Sequence, residues 1–264
     1  MRSALVPILL ADPMPWAFKA PYAWDFLKDR ARFAGGYKGA LANTPGWTAT
    51  PATHSAGGVL YASTASGALQ SFASGTLRRT DKGVLIEGAR TNLCLQSQTF
   101  DNANWVKTAA TVSADAAVAP DGTTTADALI EDGTSASQHR VQMSTAATYA
   151  TAATFAASVY FKAGSGSRNV VCRIGGASGS AYAVFNPSTG AVVTSTVTGA
   201  NWTLPATPSA ATALANGWYR GVVVASHTET SSGVTLFLQL ASGSNISYDG
   251  DSASSVYLWG AQVE

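Results

Sequence analysis

From Leu93 onward, apolar residues recur at every second position over short runs, the period of a strand with one buried face. Phe155, Ala157, Val159 and Phe161 fall in phase on one run, and Val234, Leu236, Leu238 and Leu240 on another. Trp218, Arg220, Val222 and Val224 fall in phase on a third. Further strands are expected over Ala126–Glu131, Ser137–Met143, Asn169–Ile174, Ala181–Asn186, Val192–Val197 and Ser255–Val263. Turns such as Gly164-Ser165-Gly166 and Ser242-Gly243-Ser244-Asn245 separate them. About nine strands without helical stretches predict an all-β fold, an antiparallel β-sandwich of jelly-roll type whose two sheets enclose one core. No solenoid period is present, and residues 200–215 read as a long loop.

The chain before Leu93 has a different texture. Over residues 1–28, Pro7, Pro13, Pro15 and Pro21 alternate with Trp16, Phe18, Tyr22, Trp24 and Phe26. Repeated prolines block helices and central strands, so an extended arm is expected, with one or two helical turns over Asp25–Arg32. So aromatic an arm needs a surface to cover. Either it docks on a neighbouring subunit, with Pro13, Trp16, Phe18, Tyr22 and Trp24 as the docking side chains, or it straps its own domain. Residues 29–91 form a β-rich lead-in in which glycines punctuate short pieces such as Gly58-Val59-Leu60-Tyr61 and Ala68-Leu69-Gln70-Ser71-Phe72. The sandwich is assigned to residues 92–264.

Charge narrows the partners. Charged residues are 12% of the chain, and 16 Lys+Arg balance 15 Asp+Glu, so there is no basic field to hold a phosphate backbone. Nucleic acid is not expected as a partner. An apolar content of 46% at net charge +1 is that of a folded chain, not a disordered one. The apolar start, Leu5 to Ala11, is short, broken by Pro7 and followed by Asp12-Pro13, and is read as structure instead of a secretory leader. No stretch approaches the roughly 20 apolar residues of a membrane span. Cys94 and Cys172 lie in apolar strand-like segments; they are read as buried thiols, with a single bridge between them as the alternative.

Six fragments follow one another in an order that resembles a known family. They are Leu85-Ile86-Glu87-Gly88-Ala89-Arg90-Thr91-Asn92-Leu93; Phe100, Asn102 and Trp105-Val106-Lys107; and Ala119-Pro120-Asp121-Gly122-Thr123-Thr124-Thr125-Ala126-Asp127. After them come Ala157 to Ala163, Gly217-Trp218-Tyr219-Arg220, and Trp259-Gly260-Ala261-Gln262-Val263-Glu264. Together they resemble the phage virion head-spike and tail-fibre family, whose jelly-roll module is similar to carbohydrate-binding modules and also occurs in gene-transfer-particle head spikes. The resemblance implies a structural virion protein made in the bacterial cytoplasm and joined to other virion proteins through its arm. It also implies attachment to host surface polysaccharide and a homo-oligomer, trimer or pentamer. A short chain with an arm fits a spike better than a long fibre. A decoration or connector protein without glycan binding is the alternative, and a carbohydrate-active enzyme a third.

The residues themselves offer little catalysis. His54, His139 and His227 have no metal-ligand spacing, and no Gly-x-Ser-x-Gly elbow is present. Asp249/Asp251 and Glu131/Asp132 are the carboxylate pairs available for glycoside hydrolysis, but both sit in turn-like sequence where Asp serves the backbone. The same acids are the place for Ca²⁺, although no EF-hand pattern supports it, and no cofactor is expected. Of the motif residues, Glu87 and Arg90 are expected to pair, Asn92 to brace a turn, and Trp105, Trp218 and Trp259 to fill the core. Sugar recognition needs aromatic faces together with amides and guanidiniums for paired hydroxyls. His139, Arg140, Gln142, Tyr160, Arg173, Tyr182 and Gln239 supply that chemistry on segments able to share one sheet face; the alternative is an ordinary polar face.

Overall fold

A computed structural model of the chain describes residues 22–25, 30–33, 38–40, 60–73, 78–85, 91–145, 152–208, 210–228 and 233–264, the first three by backbone alone. The chain divides into two compact units, Met1–Ala89 and Arg90–Glu264. In the first, β1 (Tyr22–Asp25), β2 (Arg30–Phe33) and β3 (Lys38–Ala40) form a three-stranded antiparallel sheet. The helical turns expected over Asp25–Arg32 are thus corrected: Asp25 and Arg30–Arg32 are strand, paired Asp25 to Arg30. Pro13, Trp16 and Phe18 lie outside the described residues, and Tyr22 and Trp24 are placed in β1 by their backbone.

Two hairpins complete the described part of this unit: β4 (Leu60–Ser63) with β5 (Leu69–Phe72), and β6 (Arg79–Thr80) with β7 (Gly83–Val84). Asp81 accepts the Ala65 amide at 2.7 Å and Lys82 Nζ donates to Ser63 Oγ at 3.1 Å, so the turn of one hairpin is tied to the other.

The second unit is a sandwich of two antiparallel sheets. Its strands are β8 (Val106–Thr108), β9 (Ala110–Ala117), β10 (Ala126–Glu131), β11 (Arg140–Ser144), β12 (Ala153–Ala163), β13 (Asn169–Gly176) and β14 (Gly179–Phe185). They continue with β15 (Val192–Thr198), β16 (Trp202–Thr203), β17 (Thr212–Ala213), β18 (Tyr219–His227), β19 (Thr235–Ala241) and β20 (Ser255–Val263). The seven-stranded sheet runs β16-β18-β12-β20-β10-β9 with β17 also on β18; the six-stranded sheet runs β15-β14-β13-β19-β11-β8. From β10 to β13, and again from β18 to β20, each strand crosses to the opposite sheet, the winding of a jelly roll. The expected all-β sandwich is what the chain forms.

The core lies between the sheets. Phe155, Ala157, Val159 and Phe161 of β12 meet Leu236, Leu238 and Leu240 of β19, joined by Val170, Cys172 and Ile174 of β13. Each of those sets occupies alternate positions, as the period of two requires. On β18 the phase is the reverse of the expected one. Val223 and Ala225 enter the core, whereas Arg220 and the exposed Val222 face outward. The reason is Gly221, where a Cβ would come within 2.9 Å of the Phe185 ring and 3.0 Å of the Phe161 ring. Only glycine lets two phenylalanines close over that point, so the inward phase of β18 lacks a side chain there while its outward phase carries Val222 and Val224. Residues 200–215 are not simply loop: β16 and β17 add short pairings along β18.

Candidate functional site

Because the core claims one phase of each strand in the six-stranded sheet, the other phase forms its outward face. The register sets Arg140 beside Gln239, Gln239 beside Val171, and Val171 beside Val184 in one row. The next row is Gln142, Phe237, Arg173 and Tyr182. Four strands at ~4.8 Å spacing make each row about 14 Å long. Five of the seven expected residues, Arg140, Gln142, Arg173, Tyr182 and Gln239, are therefore brought together on four adjacent strands.

Two are not. His139 directly precedes Arg140, and neighbouring residues of an extended chain point to opposite sides. Its imidazole is fully buried, with Nδ1 2.6 Å from the Ala109 carbonyl and Nε2 3.3 Å from the Tyr248 carbonyl. Tyr160 belongs to β12 in the other sheet, where its ring meets Trp259 edge-on at 5.4 Å. Neither contributes to the face.

Phe237, which the sequence reasoning passed over, is its centre. The Arg173 guanidinium lies 4.7 Å and that of Arg140 5.3 Å from the Phe237 ring centroid, so one ring carries two cations. Arg173 Nε donates to Ser180 Oγ at 2.9 Å, and Arg140 Nε to Gln142 Oε1 at 2.9 Å. Arg140 also donates to Gln138 Oε1, which accepts from Gln239 Nε2 at 3.1 Å as well. Since arginine only donates, Gln138 must present its oxygen there, and Gln239 must turn its NH₂ toward Gln138. That leaves Gln239 Oε1 buried with no donor among the described residues.

No carboxylate among the described residues pairs with Arg140 or Arg173. Burial lowers the pKa of both, and for Arg173 the nearby charge of Arg140 adds to the effect. Tyr182 and Gln239 are themselves buried, so the partly exposed groups are Arg140, Gln142, Arg173 and Phe237. At the Tyr182 side the face turns apolar, with Val171, Val184 and Ala241 packed under Ile246. The signal that would have found Phe237 is its phase: an aromatic side chain on the outward positions of β19, between Leu236 and Leu238.

The carboxylates considered for hydrolysis or Ca²⁺ are committed elsewhere. Glu131 is buried in a two-pronged pair with Arg168, at 2.7 Å to Nη2 and 2.9 Å to Nε. It also accepts Tyr248 Oη at 2.5 Å and the Asp251 amide at 2.9 Å. Desolvation, then this bond to Glu131, pushes the Tyr248 phenol up. Asp249 accepts Ser135 Oγ and the Ala136 amide, and Asp251 accepts Ser254 Oγ and the Ala253 and Ser254 amides. Asp132 accepts the Thr134 amide and lies 3.6 Å from His139 Nδ1. These acids brace turns. Among the described residues no three potential ligands cluster as a metal site would need.

Of the motif residues, Glu87 and Arg90 lie outside the described residues. Asn92 Nδ2 donates to the Ala261 carbonyl at 3.1 Å, and its Oδ1 accepts from Val263 at 3.0 Å and Cys94 at 2.9 Å. It therefore stitches the start of the unit to its last strand. Trp105 joins the core. Trp218 and Trp259 are just as buried, but on the outer side of the seven-stranded sheet, their indoles donating to the Val118 carbonyl and Thr125 Oγ1. Both cysteines are free and buried, with burial pushing their thiols up to about 12.

No family model matches this chain, and no curated protein matches it. Solved structures similar to it include the enzymatically active domain of tailspike protein 4 from bacteriophage CBA120, at 10% identity and a TM-score of 0.39. That match covers 65% of this chain but 21% of the tailspike domain. The CBM22-1 xylan-binding domain of Paenibacillus barcinonensis Xyn10C is 12% identical, with 68% of this chain and 97% of that domain covered and a TM-score of 0.36. A protein described as sugar-binding from Bacteroides thetaiotaomicron is 9% identical over 62% of this chain and 84% of its own, at a TM-score of 0.33. No helix among the described residues is long and apolar enough to cross a membrane.

Proposed function

We propose that this protein is a non-enzymatic virion spike or fibre subunit that holds host surface carbohydrate on the outward face of its six-stranded sheet. One observation carries the binding half of the reading: Arg140, Gln142, Arg173 and Phe237 stand partly exposed on adjacent strands, and neither guanidinium has a carboxylate partner among the described residues. Planar amides, guanidiniums and an aromatic ring are the groups that sort sugar hydroxyls and C–H faces.

The virion half is supported by the six ordered sequence fragments, and with it come attachment to other virion proteins through the N-terminal arm and a closed homo-oligomer. The carboxylates a hydrolase would need are engaged in turns and a buried ion pair, which favours binding over turnover.

The full-length protein, presented to an array of purified bacterial surface polysaccharides, is expected to retain at least one. The Phe237→Ala variant should lose that binding by tenfold or more while its thermal unfolding stays cooperative. Failure to bind any polysaccharide, together with full adsorption by particles lacking the subunit, sinks the adhesion reading. Release of shortened chains would replace it with an enzyme.

A further inference from the structure

We infer that the ligand of this face is an acidic glycan, one whose repeating unit carries a sugar carboxylate seated between Arg140 and Arg173. The inference rests on the carbohydrate-binding reading above and adds the charge and geometry of the ligand to it.

The argument starts from an imbalance. Two guanidiniums share the ring of Phe237, at 5.3 and 4.7 Å from its centroid, and each is partly withdrawn from water. The charge of Arg140 is felt at Arg173, like charges repel, and burial raises the cost of each. Folded proteins ordinarily offset such cations with carboxylates. The buried Glu131–Arg168 pair of this same unit is an example, whereas Arg140 and Arg173 have no carboxylate among the described residues. What they have instead are neutral acceptors: Ser180 Oγ and Gln142 Oε1 for their Nε atoms, and Gln138 Oε1 for one Nη of Arg140. These contacts hold both side chains on the face without neutralising either.

The same contacts leave donors free. A guanidinium offers five N–H groups, and the described bonds use one of Arg173 and two of Arg140. The unused ones belong to terminal nitrogens, whose planar fork suits a carboxylate held by two parallel bonds. An incoming carboxylate would accept these donors and relieve the repulsion between the cations in one step. A neutral sugar would supply hydroxyls for the donors and leave the repulsion in place. Phe237 and Gln142, paired in register on β19 and β11 and both partly exposed, supply contacts for the rest of the sugar.

The test compares polygalacturonate, alginate and polysialic acid with dextran, xylan and the carboxyl-reduced form of whichever acidic polymer is retained, using affinity electrophoresis of the full-length protein. Retention of an acidic polymer is expected to fall at least tenfold on carboxyl reduction and to weaken as NaCl rises from low to high ionic strength. Arg140→Gln and Arg173→Gln should each reduce it at least tenfold with melting temperature little changed. Lys162→Gln, on the other sheet, should not reduce it. If only neutral polymers are retained, or if carboxyl reduction leaves retention intact, the acidic-ligand inference is overturned and the carbohydrate-binding reading stands. If no polysaccharide in either set or in the surface-polysaccharide array is retained, both are overturned.

Discussion

At the scale of single residues, the chain separates those that mark its architecture from those that form the candidate face. Asn92 sits in the most distinctive stretch of sequence, yet all three of its described bonds go to backbone groups within its own unit. Asn92→Ala would strand the Ala261 carbonyl and the Val263 amide at the last strand. Urea denaturation should show a loss of ~1–3 kcal/mol, the usual cost of leaving partly buried hydrogen-bonding groups unserved. An unchanged midpoint would mean that the motif residue is not the stitch it is taken for. Phe237 is the opposite case. Nothing in the local motif marks it, and its importance comes from two cations that reach it from the neighbouring strands β11 and β13. His139 illustrates what a sequence does reveal when read strictly. Its adjacency to Arg140 already forbids both from lying on one sheet face, since successive side chains alternate.

Among the elements, the turns before β11 and β20 depend on ionised carboxylates. The bonds from Thr134 to Asp132, from Ser135 to Asp249 and from Ser254 to Asp251 hold all three acids below their ordinary range, Asp251 furthest. A depressed folded-state pKa means that the unfolded chain takes up protons first as pH falls. The stabilisation is then complete above the unfolded value of ~4 and is lost below it. Asp127 acts in the opposite sense: desolvation raises its pKa, so its ionisation opposes folding and that penalty eases on acidification. With three acids against one, the melting temperature should hold from pH 7 to 5 and fall below about pH 4. Asp251→Asn should flatten that fall, and a variant melting with the same acid dependence as the parent would show that the turn is held by something else. Strand positions were largely legible at this scale, β10 and β20 to the residue. β8 and β9 were not, because the Ala/Thr/Ser-rich run of β9 has no large apolar residues in alternation.

For the molecule as a whole, the division between Ala89 and Arg90 and the closed core of the second unit predict that residues 90–264 fold alone. Expressed by themselves, they should unfold cooperatively and keep the polysaccharide binding proposed for the full chain; a molten or aggregated fragment would show that the first unit is needed for folding. From sequence alone came the all-β class, most strands and, β18 apart, their inward phase. Those follow from local periodicity, which needs no knowledge of what packs on what. Only the tertiary structure decided which strands share a sheet, and that assignment took Tyr160 off the candidate face and put Phe237 at its centre. It also reversed the phase of β18, because the space that Gly221 leaves is filled by Phe161 and Phe185 from two different sheets. A strand's pattern tells that one side is buried, but the partner that fills or charges the other side arrives from distant sequence and is fixed by packing.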